Sequence, residues 1–224
     1  SVTVEGGTHN PMAPPFHFIK DCFLPQLAKM GVKAEAKLEK WGFYPAGGGK
    51  ATFEISPSKE LKCLELLDRG KHIANFGRAI SANLMQEIAE VEAKCLKNKL
   101  NWEDIKPIQI QDSIGPGNVI QAQMAFKNVT EIIREFGTKG VRSQVIASKL
   151  AKKVKKYMAT DAPVGEYLAD QLLLPMAIAG KGSFRCSALS SHSKTNLEII
   201  RKFIPVEIKT EPSQKGGFVV TIEK

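Results

Sequence analysis

Apolar residues alternate with polar ones in "SVTVE" at the start of the chain, which predicts a strand over residues 1–5. Over 15–30 the apolar positions recur at helical spacing, with Pro14 and Pro15 at the entry and Gly31 as the stop. Alternation returns at 32–41 and 50–56, predicting two strands joined by the "GFYPAGGG" turn. From about 68 the rhythm restarts. The pattern predicts a strand over 71–80, a helix over 84–99 and a strand in "KPIQIQDS" (106–113). "GPGN" (115–118) then reads as a turn, followed by strands over 119–127 and 129–136. A long helix fills 142–158, and "TDAPVGE" (160–166) breaks it. The tail is expected to form a helix (165–179), a strand (182–188), a helix (196–203) and strands over 205–211 and 217–223.

Strands interleaved with helices place the chain in the α/β (α+β) class. The middle block, 68–158, has its own helices and strands and reads as a second domain inserted into the first, which comprises 1–67 and 159–224. The head and tail units each combine strands with a helix, as structural repeats would.

The 224 residues suffice for one large domain or two smaller ones, and 43% hydrophobic with 25% charged residues is ordinary for a globular protein. No apolar run is long enough to cross a bilayer, and "LLLPMAIAG" (172–180) is short and broken by Pro175. The opening residues read as the middle of a fold, with no signal peptide before them. Cys22, Cys63, Cys95 and Cys186 lie far apart without a CxxC pair, which argues against a zinc site and for a reducing, cytoplasmic setting. The net charge of +9 favours a polyanionic partner, most often nucleic acid. Lys149, Lys153 and Lys156 share one helical face in "SKLAKKVKKY". Both a solvated face and a phosphate-tracking surface fit that run.

Four stretches could carry chemistry. In the 165–179 helix, Tyr167, Asp170 and Gln171 fall at i, i+3 and i+4, so a ring, a carboxylate and an amide share a stripe that could stack on a purine and bond its edge or ribose. A polar surface stripe is the plainer reading. Leu172, Leu173, Met176 and Ile178 are expected to face a core. His192 follows a predicted strand, and Thr195 and Glu198 have capping-box spacing, so a helix should begin about three residues past the histidine. An imidazole there could attack a phosphate held at the helix N-terminus, or be an ordinary loop residue. "PAGGGK" (45–50) fails as a phosphate loop, because Tyr44 and Ala51 stand where that motif needs Gly and Ser or Thr; its glycines point to a tight turn or close backbone approach. No G-x-S-x-G elbow supports a serine hydrolase. In "GGTHNPMAPPFHF" (6–18), Pro14 and Phe18 could form an apolar wall or simply staple the helix start. His9 and His17 lack partners at a metal-ligand spacing.

Taken together, "EGGTHNPMAPP" (5–15), "GFYPAGGG" (42–49), "GPGN" (115–118), "VGEYLADQLLLPMAIAG" (164–180) and "HSKTN" (192–196) resemble the RNA 3'-terminal phosphate cyclase family, in the family's order and along the whole chain. The resemblance implies a large domain of repeated two-helix, four-stranded units with a smaller α/β domain inserted. It implies that ATP and a divalent metal (Mg or Mn) convert an RNA 3'-phosphate to a 2',3'-cyclic phosphate through a histidine-adenylate and an RNA-adenylate. The family's nucleophile falls on His192. Its adenine and ribose contacts fall on Tyr167, Leu168, Ala169, Asp170 and Gln171, with Pro14 and Phe18 on the other side of the nucleotide.

The family's N-terminal segment, with an "EGGGQ"-type motif and an acidic residue linked to metal and nucleotide, has no counterpart here. No metal ligand is therefore assigned, and the chain alone is expected not to cyclise RNA efficiently. Either the chain is a fragment, or the remainder of the site is expected from another polypeptide, a separate N-terminal fragment or a homo-oligomer. The main rival is a non-catalytic, RNA-binding relative that acts in ribosome assembly. The enolpyruvyl transferases share the repeated architecture, but nothing specific here points to them.

Overall fold

The computed structural model describes residues 1–224. The alternation at the start becomes β1 (Val2–Gly6), which pairs antiparallel with β3 (Gly49–Ser56); β3 pairs in turn with β2 (Lys33–Lys40). Between β1 and β2 the chain runs through α1 (Phe16–Phe18), a π-helical stretch (Ile19–Phe23) and α2 (Leu24–Lys29). The helix expected over 15–30 is present, and the π-helical stretch is a local widening that spacing alone does not reveal.

A second sheet has the order β10-β11-β9-β4, from β4 (Leu64–Leu66), β9 (Lys181–Cys186), β10 (Glu207–Pro212) and β11 (Phe218–Glu223). Here α5 (Glu166–Ala179) leads into β9, and α6 (Ser191–Phe203) connects β9 to β10. The series β9, α6, β10, β11 repeats the series β1, helix, β2, β3: in both, the last strand lies between the other two and all pairs are antiparallel. Strand β4 went unforeseen because three residues are too few for alternation to register. Leu64 and Leu66 are buried on either side of Glu65, and the strand runs parallel to β9.

The third sheet, β6-β5-β7-β8, takes in β5 (His72–Ala82), β6 (Ile105–Ile110), β7 (Gly117–Phe126) and β8 (Thr130–Phe136). Two helices accompany it, α3 (Gln86–Leu100) and α4 (Ser143–Ala159). Along α4 the buried side chains Ile146, Leu150, Val154 and Tyr157 recur every three or four residues, which leaves Lys149, Lys152, Lys153, Lys155 and Lys156 exposed.

One apolar cluster of 36 residues runs from Phe18, Cys22 and Met30 of the head, through Ile132 and Leu150, to Leu168, Leu172 and Phe184 of the tail. Burial of this continuous surface is the main force holding the three sheets together. A second cluster, Phe43, Ile80, Ala82 and Val119, seats the "GFYPAGGG" turn on the third sheet. Here the two glycine motifs meet. A Cβ on Gly117 would lie 2.0 Å from Cγ of Phe43, and one on Gly48 would strike Ile114. The glycines of both motifs therefore serve close approach, as expected for "PAGGGK".

The chain leaves the tail sheet after β4 and returns to it before α5, and Arg69 joins the two crossings. Its Nε donates to Ala162 O (2.7 Å), its Nη2 donates to Tyr157 O (2.8 Å) and Thr160 Oγ1 (3.2 Å), and its guanidinium lies 4.0 Å from the Tyr157 ring centre.

Candidate nucleotide and phosphate site

His192 is not in a loop ahead of a helix. It is the second residue of α6, which starts at Ser191, several residues earlier than the spacing of Thr195 and Glu198 suggested. The cap is Ser190, whose Oγ accepts the Ser193 backbone N–H at 3.0 Å. A serine reaching back to a first-turn N–H is the strongest local signal for a helix start. Of the four serines in "SALSSHSK", Ser190 is the cap, and Ser193, whose N–H it accepts, is buried. His192 is thus exposed on the first turn of a 13-residue helix with no acidic residue in that turn. The positive end of the peptide dipoles and the first N–H groups favour an anion there.

Beside it lies Asp170. A shallow cleft is lined by Asp170, Ser191, His192, Thr195, Asn196 and Ile199. Asn196, one turn beyond His192, donates from Nδ2 to Asp170 O (3.3 Å) and Asp170 Oδ1 (3.4 Å). The amide of Asn196 therefore holds the carboxylate of one helix next to the imidazole of another. Asn196 is not among the site residues expected from the sequence. Its i+4 spacing from His192 becomes a signal once both are placed on one helix.

The stripe on α5 stays at the surface: Tyr167 is 41% exposed, and Asp170 and Gln171 are partly exposed, with Gln171 Nε2 3.4 Å from Asp170 Oδ2. Leu168 and Ala169 are completely buried, so their side chains support the stripe from the core. Leu172, Leu173 and Met176 are buried as expected, but Ile178 is not; it lies outside the arc of the helix that meets the sheet.

Pro14 is half-buried at the head of the other wall. Phe18 is 0% exposed, because the helix that carries it turns that face onto β8 and α5; its side chain belongs to the main core and does not line an open surface. The loop before it is stiffened by two histidines. His9 Nδ1 lies 2.8 Å from Thr8 Oγ1, its Nε2 lies 3.2 Å from His17 Nδ1, and its ring stacks on Trp41 at 4.4 Å. Burial, helped by each other and by Arg134, pushes His9 down to about 3; burial and Lys20 push His17 down to about 4. Both rings are neutral near pH 7 and act as packing and hydrogen-bonding groups.

A deeper cleft of about 220 Å³ lies between α4, β8 and the start of α5, lined by Glu131, Lys153, Lys156, Tyr157 and Tyr167 among others. Glu131 accepts the Gly165 N–H at 2.9 Å, and its burial raises the carboxyl to about 8. Lys153 is paired with Glu135 at 2.5 Å. His, Cys, Asp and Glu side chains do not gather in threes. No helix is long and apolar enough to cross a membrane.

A family model described as "RNA 3'-terminal phosphate cyclase" matches residues 1–210. A curated protein of that name from Koribacter versatilis is 43% identical over 211 residues, 93% of this chain and 59% of that protein. One from Pseudomonas fluorescens is 39% identical over 213 residues (94% and 62%), and one from Salmonella typhimurium is 36% identical over 218 residues (97% and 64%). The chain spans about three-fifths of the length of these relatives.

Proposed function

The chain belongs to the RNA 3'-terminal phosphate cyclase family, and on that premise we propose that it carries the nucleophile and much of the nucleotide site for the ATP-dependent conversion of an RNA 3'-phosphate to a 2',3'-cyclic phosphodiester. The observation that carries this reading is the single cleft shared by His192, Asp170 and Asn196, one helical turn from Tyr167.

In this reading a ring nitrogen of His192 attacks the α-phosphorus of ATP. A P–N bond forms, the α–β anhydride bond breaks and pyrophosphate leaves. Attack by the RNA 3'-phosphate then breaks the P–N bond, frees the imidazole and forms an RNA-adenylate. The adjacent 2'-hydroxyl attacks the terminal phosphorus, loses its proton to solvent and expels AMP. Splitting the reaction this way turns a poor leaving group into a good one, and the 2'-hydroxyl is already in place. DNA lacks that hydroxyl, so the substrate is RNA.

The groups of this chain have separate tasks. The first turn of α6 offers N–H groups and a positive dipole end to the α-phosphate. Asp170, held by Asn196, and Gln171 address the ribose or the base edge, and the Tyr167 ring offers a stacking surface. Pro14 stands on the opposite wall; Phe18 supports that wall from the core, as Leu168 and Ala169 support the Tyr167 stripe. A divalent ion would screen the charge of the triphosphate; no step here is assigned to it. Residues 68–158 act in this reading as the smaller inserted domain. The exposed lysines of α4 fit an RNA-tracking surface.

The test is to incubate the chain with α-labelled ATP and Mg or Mn, with and without the N-terminal part of a relative, and to compare His192→Ala. Label retained by the wild type and absent from the variant is the expected result. A complete protein that takes up no label would overturn the proposal and favour a non-catalytic RNA-binding relative.

A further inference from the structure

Arg134 sits on β8, in the third sheet, but its guanidinium serves the other two units. Its Nη2 donates to Ala13 O at 3.0 Å, on the loop that carries Pro14. Its central carbon lies 5.0 Å from the centre of the Tyr167 ring, on the first turn of α5. One side chain thus touches both walls of the proposed nucleotide pocket.

The arrangement is poor value for stability alone. Arg134 is only 9% exposed, and its Nε and Nη1 have no protein acceptor. Burial is the largest influence on its charge and works against it, and neither Glu131 nor Glu135 nearby accepts a hydrogen bond from it. A buried cation that leaves two N–H groups unmet surrenders hydration it does not recover, and an apolar side chain of similar volume would often serve the fold better. What the guanidinium supplies, and an apolar group could not, is simultaneous hold on a carbonyl and on the face of an aromatic ring.

We infer that Arg134 is a positioning residue, which fixes the separation between the Ala13–Pro14 loop and the Tyr167 ring so that a nucleotide base fits between them. The inference rests on the nucleotide reading above.

The test uses the full 224-residue chain as wild type, Arg134→Met and Arg134→Lys. Met keeps the volume and removes the charge, so it is expected to fold, with an unfolding midpoint no lower than that of the wild type. Two readouts follow. The first is amide hydrogen exchange in the absence of nucleotide. Arg134→Met is expected to quicken exchange around Ala13 and around Tyr167 while leaving β10 and β11 unchanged, with Arg134→Lys in between. Unchanged exchange at either wall would overturn the inference whatever ATP does. The second is ATP affinity by calorimetry, expected to weaken about tenfold in Arg134→Met, with the His192 labelling rate at saturation nearly unchanged. Wild-type affinity in a folded Arg134→Met would also overturn it. If exchange quickens at both walls while the wild type binds no ATP even with the N-terminal part of a relative added, the nucleotide reading fails, and Arg134 stands as the tie between the two walls.

Discussion

Asn196 and Asp170 are joined across two helices: the amide donates to both the backbone oxygen and the carboxylate of the aspartate, at 3.3 and 3.4 Å. These are long bonds, so their worth lies at the lower end for a charged acceptor. Asn196→Ala is expected to weaken ATP binding by about five- to tenfold by releasing the Asp170 side chain. Calorimetric titration checks this, and an unchanged affinity would mean that Asp170 needs no orientation.

The helix start at Ser190 separates two readings of the same serine-rich segment. Ser190→Ala is expected to cost about 1 kcal/mol in urea unfolding, the usual value of a lost cap. Thr195→Ala, on the exposed face of α6, should stay within about 0.5 kcal/mol of the wild type. The reverse order would restore the later start.

Gly117 lies beneath the Phe43 ring, with no room for a methyl group. Gly117→Ala is expected to destabilise the chain by about 2–3 kcal/mol. Adding Phe43→Leu should return about 1 kcal/mol of that loss, because the two side chains compete for one space. Additive costs in the double variant would show that the clash is relieved elsewhere.

The buried titratable groups give the stability curve two opposing limbs. His9 and His17 are lowered from 6.5 to about 3 and about 4, so the unfolded chain binds protons first, and the stability they allow is lost as pH falls below 6.5. Glu92 and Glu131 are raised from 4.5 to about 7 and about 8, so the folded chain holds their protons longer, and stability is lost as pH rises from 4.5 through those values. Glu92→Gln keeps an acceptor for Asn118 and removes the ionisation. It is expected to flatten the upper limb by on the order of 3 kcal/mol between about pH 5 and pH 8. Urea midpoints across that range check the sign.

Much of this architecture can be read from residue spacing, and the rest fails for identifiable reasons. Long periodic runs such as 143–159 declare themselves because burial recurs along them. The three residues of β4 do not, since their pairing with β9 is a tertiary choice. The stripe of Tyr167, Asp170 and Gln171 follows from helical geometry alone. The burial of Phe18 does not, because it depends on which face of its helix meets β8 and α5. The role of Arg134 lies further out of reach: no local pattern connects a strand residue to a loop 121 positions earlier.

The bonds of Arg69 to Tyr157, Thr160 and Ala162 have a genetic consequence. Exit from the tail sheet and re-entry into it lie side by side, so the span between them is a closed excursion. A gene could lengthen that excursion at its exposed turns without parting β4 from β9, but could not trim it freely, because its strands and α4 supply part of the shared core.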